Sequence, residues 1–161
     1  MADLLPGAEH LQNIHPLTVH FPVAFLYGAA LLYFLAWITG RESWAWTGLW
    51  LLALGTLGAA VAVATGLYGA EGVMLARSVK AHLLIPHKRI MLGVLGLSGV
   101  LTAWALTSRP VPRRARLAFM MLLVVLIGLV TWGADYGVRM VYDYNGGGQA
   151  CMQQQPIEFS N

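Results

Sequence analysis

Apolar residues in this chain gather into four long blocks separated by short polar breaks, at residues 17–38, 46–68, 90–106 and 117–134. Crossing a hydrocarbon core of about 30 Å takes about 20 apolar residues as a helix. The first two blocks meet that length; the third and fourth fall a little short and are expected to extend into their flanks. Lipid offers no partner for exposed backbone groups, so spanning segments without barrel-type alternation must be helices. The pattern predicts an all-α, integral membrane four-helix bundle. Residues 1–148 form one transmembrane domain, which ends on a Gly-rich run, and residues 149–161 form a polar C-terminal tail.

The breaks differ in kind. Residues 39–43 (TGRES) and 107–116 (TSRPVPRRAR) predict tight helical hairpins, the second with Pro110 and Pro112 as helix stops. The middle break is longer. Its centre predicts a short amphipathic helix lying at the membrane surface, with Arg77 and Lys80 in water. Small residues form stripes on two spans. Gly48, Gly55, Ala59, Ala62, Gly66 and Gly69 line one face of the second. Gly93, Gly96, Val100 and Ala103 line one face of the third, with Gly99 beside them. Such stripes let helix backbones approach closely, and helix packing is their expected use; they also leave room for a flat cofactor.

Composition agrees with the membrane reading. Of 161 residues, 58% are hydrophobic and 11% charged, against about 25% charged in an ordinary soluble domain. A net charge of +3, with basic residues confined to the breaks, gives nucleic-acid binding no support. Cys151 is the single cysteine, which excludes an internal disulfide and any Cys-pair metal site. There is no CxxCH for covalent haem attachment, and Cys151 has no base beside it. The N-terminal stretch has neither a basic region nor a cleavage pattern, so it does not read as a signal peptide.

Trp37, Trp44 and Trp46 crowd the first break and Trp104 lies near the third, which puts the two short turns on one membrane face. Tyr68, Trp132, Tyr136 and Tyr142 mark the other. Lys and Arg divide five against five: Arg41, Arg109, Arg113, Arg114 and Arg116 on the short-turn face, Arg77, Lys80, Lys88, Arg89 and Arg139 opposite. The first group is denser near membrane ends. That density orients the short turns to the cytoplasm and both termini to the periplasm.

The candidate chemistry lies in the histidines. His15 and His20 open the first span; His82 and His87 open the third; His10 is expected in solvent. Spans one and three enter from the same face, so parity alone gathers the four on one side of the bilayer. Each pair has H-x4-H spacing, which on a helix is about 140° of net rotation and about 7.5 Å of rise. Two imidazoles so placed do not chelate one ion from one helix; each meets a partner on another helix. A bis-histidine haem inside a helical bundle is that arrangement. Depth favours His20 with His87 as axial ligands, with His15 and His82 as a second, shallower pair. Pro22 frees the Thr18 carbonyl and bends the first helix near His20, and Pro86 is tolerated near a helix start. Lys88, Arg89 and Arg139 share that face and are candidates for holding haem propionates. Asp135, at the end of the fourth span, is a candidate for bonding a quinone headgroup or relaying protons, or a plain solvated helix end. The methionines Met74, Met91, Met120 and Met121 have no ligand spacing.

The segment HPLTVHFP followed by four spans resembles the domain-of-unknown-function-2231 family (DUF2231) of small bacterial four-helix membrane proteins. His15, Pro16, Val19, His20, Phe21 and Pro22 fit that family's H-P-x-x-V-H-F-P motif. His87 with Lys88 fits its basic-flanked histidine opening helix three. Gly137, Val141 and Tyr142 fit the outline of its closing G-x-L-V-Y-x-H-G signature. The resemblance runs to about residue 148. Where the family has its last histidine this chain has Tyr144, which favours one haem over two. The resemblance implies a redox-associated protein of the bacterial inner membrane, often found near cytochromes.

Together these readings predict a b-type cytochrome-like electron-transfer subunit with haem b, rather than a stand-alone enzyme. It would link the quinone pool to a periplasmic redox partner such as a cytochrome, docked among other subunits of a larger respiratory complex. Two alternatives stand beside it: a cofactor-free anchor or accessory subunit of a redox or transport complex, and a copper site lined by the four histidines.

Overall fold

The computed structural model describes residues 14–70 and 75–144. The expectations placed on His10, Met74, Cys151 and the 149–161 tail lie outside the described residues. Six α-helices follow in order: α1 (His15–Thr18), α2 (His20–Thr39), α3 (Glu42–Gly69), α4 (Arg77–Val79), α5 (Ile85–Ser108) and α6 (Arg116–Tyr142). They make four continuous rods, His15–Thr39, Glu42–Gly69, Arg77–Ser108 and Arg113–Tyr142, each long and apolar enough to cross a membrane. At 1.5 Å per residue the 28-residue α3 is about 42 Å long, more than a hydrocarbon core needs.

The four-helix bundle is as expected; some boundaries are not. The first rod breaks for a single residue at Val19, between α1 and α2. Pro22 has no N–H for the Thr18 carbonyl, so the ladder lapses there. The amphipathic surface helix expected between spans two and three is instead the start of the third rod. α4 runs through a π-turn (Lys80–Leu84) straight into α5. Proline accounts for the π-turn. In a regular helix the Pro86 ring would meet the His82 carbonyl. Here the Ile85 N–H reaches back to Lys80 instead, which widens the turn by one residue just ahead of the proline. The chain therefore stays helical through His82 and His87.

Rods one to four are neighbours in sequence order, and α6 closes the ring onto α2, leaving α2 and α5 on a diagonal. α2 and α3 pack closest, through the glycines. A methyl group on Gly55 would lie 2.7 Å from the Leu26 side chain, and one on Gly58 would lie 3.2 Å from Pro22. The stripe on the second span is thus a packing seam, as expected. The stripe on the third is not. A methyl on Gly93, Gly96 or Gly99 would meet nothing within 4 Å, and Val100 is 61% exposed. That face of α5 points out of the bundle, because α5 buries Val94, Ser98, Leu101 and Ala105 instead.

The two short turns do share one end. Tyr33, fully buried, donates its hydroxyl to the Pro110 carbonyl at 3.2 Å, and Arg116 donates to the Ala36 carbonyl at 3.0 Å. Tyr33 also packs edge-on against Phe119 at 5.0 Å. Tyr33→Phe keeps the ring and leaves the Pro110 carbonyl without its phenol donor. It should cost about 1–3 kcal/mol, read as a lower thermal unfolding midpoint in detergent; an unchanged midpoint would remove the bond from the account.

Candidate histidine site

Of the four histidines expected to form the site, the fold brings two together. His15 from α1 and His87 from α5 face each other across the bundle diagonal with ring centroids 6.4 Å apart and planes at 83°. Both are half-buried, whereas His20 and His82 are exposed. Neither expected pairing, His20 with His87 or His15 with His82, is the one formed. Within each pair one member is half-buried and the other exposed, with the helix break at Val19 inside the first pair and the π-turn at Lys80–Leu84 inside the second. Depth does not separate them as the apolar blocks implied. The third rod begins at Arg77, well ahead of the 90–106 block, which lets His87 reach the level of His15.

Each ring is held from behind. His87 Nδ1 lies 2.8 Å from the Gly133 carbonyl. A carbonyl only accepts, so Nδ1 carries the proton and Nε2 carries the lone pair. His15 Nδ1 lies 3.3 Å from the Thr65 hydroxyl. Thr65 Oγ1 lies 3.0 Å from both the Val61 and Ala62 carbonyls and 3.1 Å from Thr18 Oγ1. Its proton goes to its own helix, as a threonine in a span usually arranges, which leaves its oxygen to accept. Thr18 in turn donates to the His15 carbonyl at 2.9 Å. Backbone or hydroxyl acceptors behind Nδ1 are the usual means of fixing a metal-ligating imidazole.

Glycines make the room. A methyl on Gly66 would lie 2.8 Å from His15 Cε1; one on Gly133 would press on Ile90 and Met91; one on Gly137 would lie 3.5 Å from His87 Cε1. Glycine at these positions lets the His15 ring lie against the α3 backbone and Ile90 and Met91 lie against the α6 backbone. Thr65 and Gly133 were not singled out as site residues in the sequence. The available signal was weak: a threonine beside Gly66 in an apolar helix, and a glycine four residues before Gly137 on α6.

The basic residues expected near this end are in place but differ in standing. Lys88 is half-buried beside His87, and Arg89 is exposed. Arg139 is engaged with Asp143 at 3.7 Å, both about half exposed. Asp135 is exposed, and Tyr136 packs on Trp132 at 6.1 Å.

Haem was the cofactor expected here, and the pair can be tested against it. With metal–nitrogen bonds of about 2.0–2.1 Å, two imidazoles on opposite sides of one metal place their centroids about 6.3 Å apart. The observed 6.4 Å matches. Among the described residues no group of three or more His, Cys, Asp or Glu side chains comes together. A tetrahedral all-protein site has no ligand set there, whereas haem needs only two axial ligands from protein.

Residues 11–150 match a family described as predicted membrane protein (DUF2231). No curated protein and no solved structure matches the chain.

Proposed function

This chain belongs to the DUF2231 family of predicted membrane proteins, and from that premise we propose that it is a b-type cytochrome-like electron-transfer subunit, with one haem b between the first and third rods. The observation that carries this reading is the facing pair His15 and His87, 6.4 Å apart on diagonal helices, each with a hydrogen-bonded Nδ1. His15 and His87 would hold the haem iron, and Lys88 and Arg89 would be the nearest cations for its propionates. When bound, haem b supplies a reversible one-electron couple. Thr65 and the Gly133 carbonyl fix ring orientation. His20 and His82, facing outward, have no part in ligation.

The chain is small and carries one such pair among the described residues, so it works within a larger respiratory complex of the bacterial inner membrane. It would take electrons from the quinone pool and pass them to a periplasmic partner. The dense arginines of the short-turn end orient that end to the cytoplasm and the histidine end to the periplasm. A pyridine haemochrome assay on purified protein tests the proposal. About one haem b per chain is expected; protein that purifies from haem-replete cells without porphyrin would leave the accessory-anchor or copper reading in its place.

A further inference from the structure

The end of the bundle opposite the histidines holds a second constellation. A cavity of about 220 Å³ lies between the two short turns, with Tyr33 and Ala36 in its wall and Arg41, Arg113 and Arg116 around it. An adjoining cavity shares Arg113 and adds Arg109 and Arg114. Five arginines thus line the two cavities, against the single acid Glu42 among their lining residues. Arg116 is committed to the Ala36 carbonyl through one nitrogen and keeps further N–H donors. Arg109, Arg113 and Arg114 have no side-chain hydrogen bond or ion pair within the described residues, and Arg41 bonds only through its backbone.

Position settles what kind of anion meets it. The cluster caps the apolar rods at the level of Trp37 and Trp46, which are 47% and 40% exposed. Tryptophans so placed mark the headgroup region of a bilayer. On the same rods, Ile38 and Leu117 are 61% and 63% exposed, a surface suited to acyl chains. We propose that this arginine-lined cavity binds a phosphate-bearing anion, and that its source is the headgroup of an anionic phospholipid. Guanidinium is the side chain fitted to phosphate oxygens, through paired N–H donors. The lipid would hold the two turns together at the membrane surface, independently of what the histidine end binds.

Native mass spectrometry of the full-length protein in detergent, titrated with phosphatidylglycerol or phosphatidylcholine, tests this. Phosphatidylglycerol should be retained at least about fivefold better, a modest ratio for two or three charge-assisted contacts. The double variant Arg41→Gln/Arg113→Gln should lose that preference while Arg77→Gln, at the other end, keeps it. Arg116 is left intact because it bonds Ala36, and an unchanged size-exclusion profile checks the fold of the double variant. Equal retention of the two lipids, or a preference that survives in the double variant, overturns the proposal. Displacement of the lipid by millimolar inorganic phosphate would overturn the lipid assignment and make a soluble anion the ligand.

Discussion

In a set of four single alanine variants, His15→Ala and His87→Ala are expected to lose haem, at least about tenfold per chain, while His20→Ala and His82→Ala retain the wild-type amount. The contrast follows from placement alone. All four histidines lie at one end of the bundle, and the two H-x4-H pairs are alike in spacing. Only His15 and His87 are half-buried and face each other; each is braced by a partner on a neighbouring helix, Thr65 on α3 and the Gly133 carbonyl on α6. Alanine at either position removes one axial ligand and leaves a brace without its donor. Alanine at His20 or His82 trims an exposed ring. Haem content is read by pyridine haemochrome, normalised to protein. Loss in His20→Ala with retention in His15→Ala would reinstate the depth-based pair His20 and His87 and refute the diagonal one.

The second large effect concerns the seam between α2 and α3. Gly55→Val should destabilise the bundle by about 3 kcal/mol, the upper part of the usual range for overpacking. Even the first carbon of the new side chain would lie 2.7 Å from Leu26 Cδ2 and 3.2 Å from the Leu26 backbone nitrogen. Leu26 is fully buried and cannot swing aside, so the helices themselves must part. Gly93→Ala provides the opposite case. Its added methyl meets nothing within 4 Å, and alanine is the better helix former by about 1 kcal/mol. It should be neutral or stabilising. Thermal unfolding in detergent separates the two; similar losses at both sites would contradict the assignment of one stripe to packing and the other to the outer face.

These contrasts mark what the chain discloses by itself. The four rods are legible because apolar length is what lipid selects, and the shared side of the histidines follows from counting crossings. The Val19 break was also foreseeable, since Pro22 must leave the Thr18 carbonyl without its donor. Rotation was not. Which member of each pair turns inward depends on how α2 seats against α3 at Gly55 and Gly58, and on the extra residue that the π-turn at Lys80–Leu84 inserts ahead of Pro86. Neither leaves a periodic trace. The reach of the third rod back to Arg77 was hidden for a similar reason. Its first turns carry Arg77, Lys80 and His82, a polar composition that reads as surface although the backbone stays helical. Glycine stripes look the same in sequence whichever way they face; only the neighbouring Val94, Ser98 and Leu101 decide that Gly93 and Gly96 point outward.

The most direct test of the central claim is the electron paramagnetic resonance spectrum of the purified, oxidised protein. Two imidazoles at 83° on one ferric haem predict a low-spin, strongly anisotropic signal that disappears in His15→Ala and His87→Ala alike. A high-spin signal, or no ferric haem signal from protein purified under haem-replete conditions, would contradict the diagonal histidine pair as an axial ligand set.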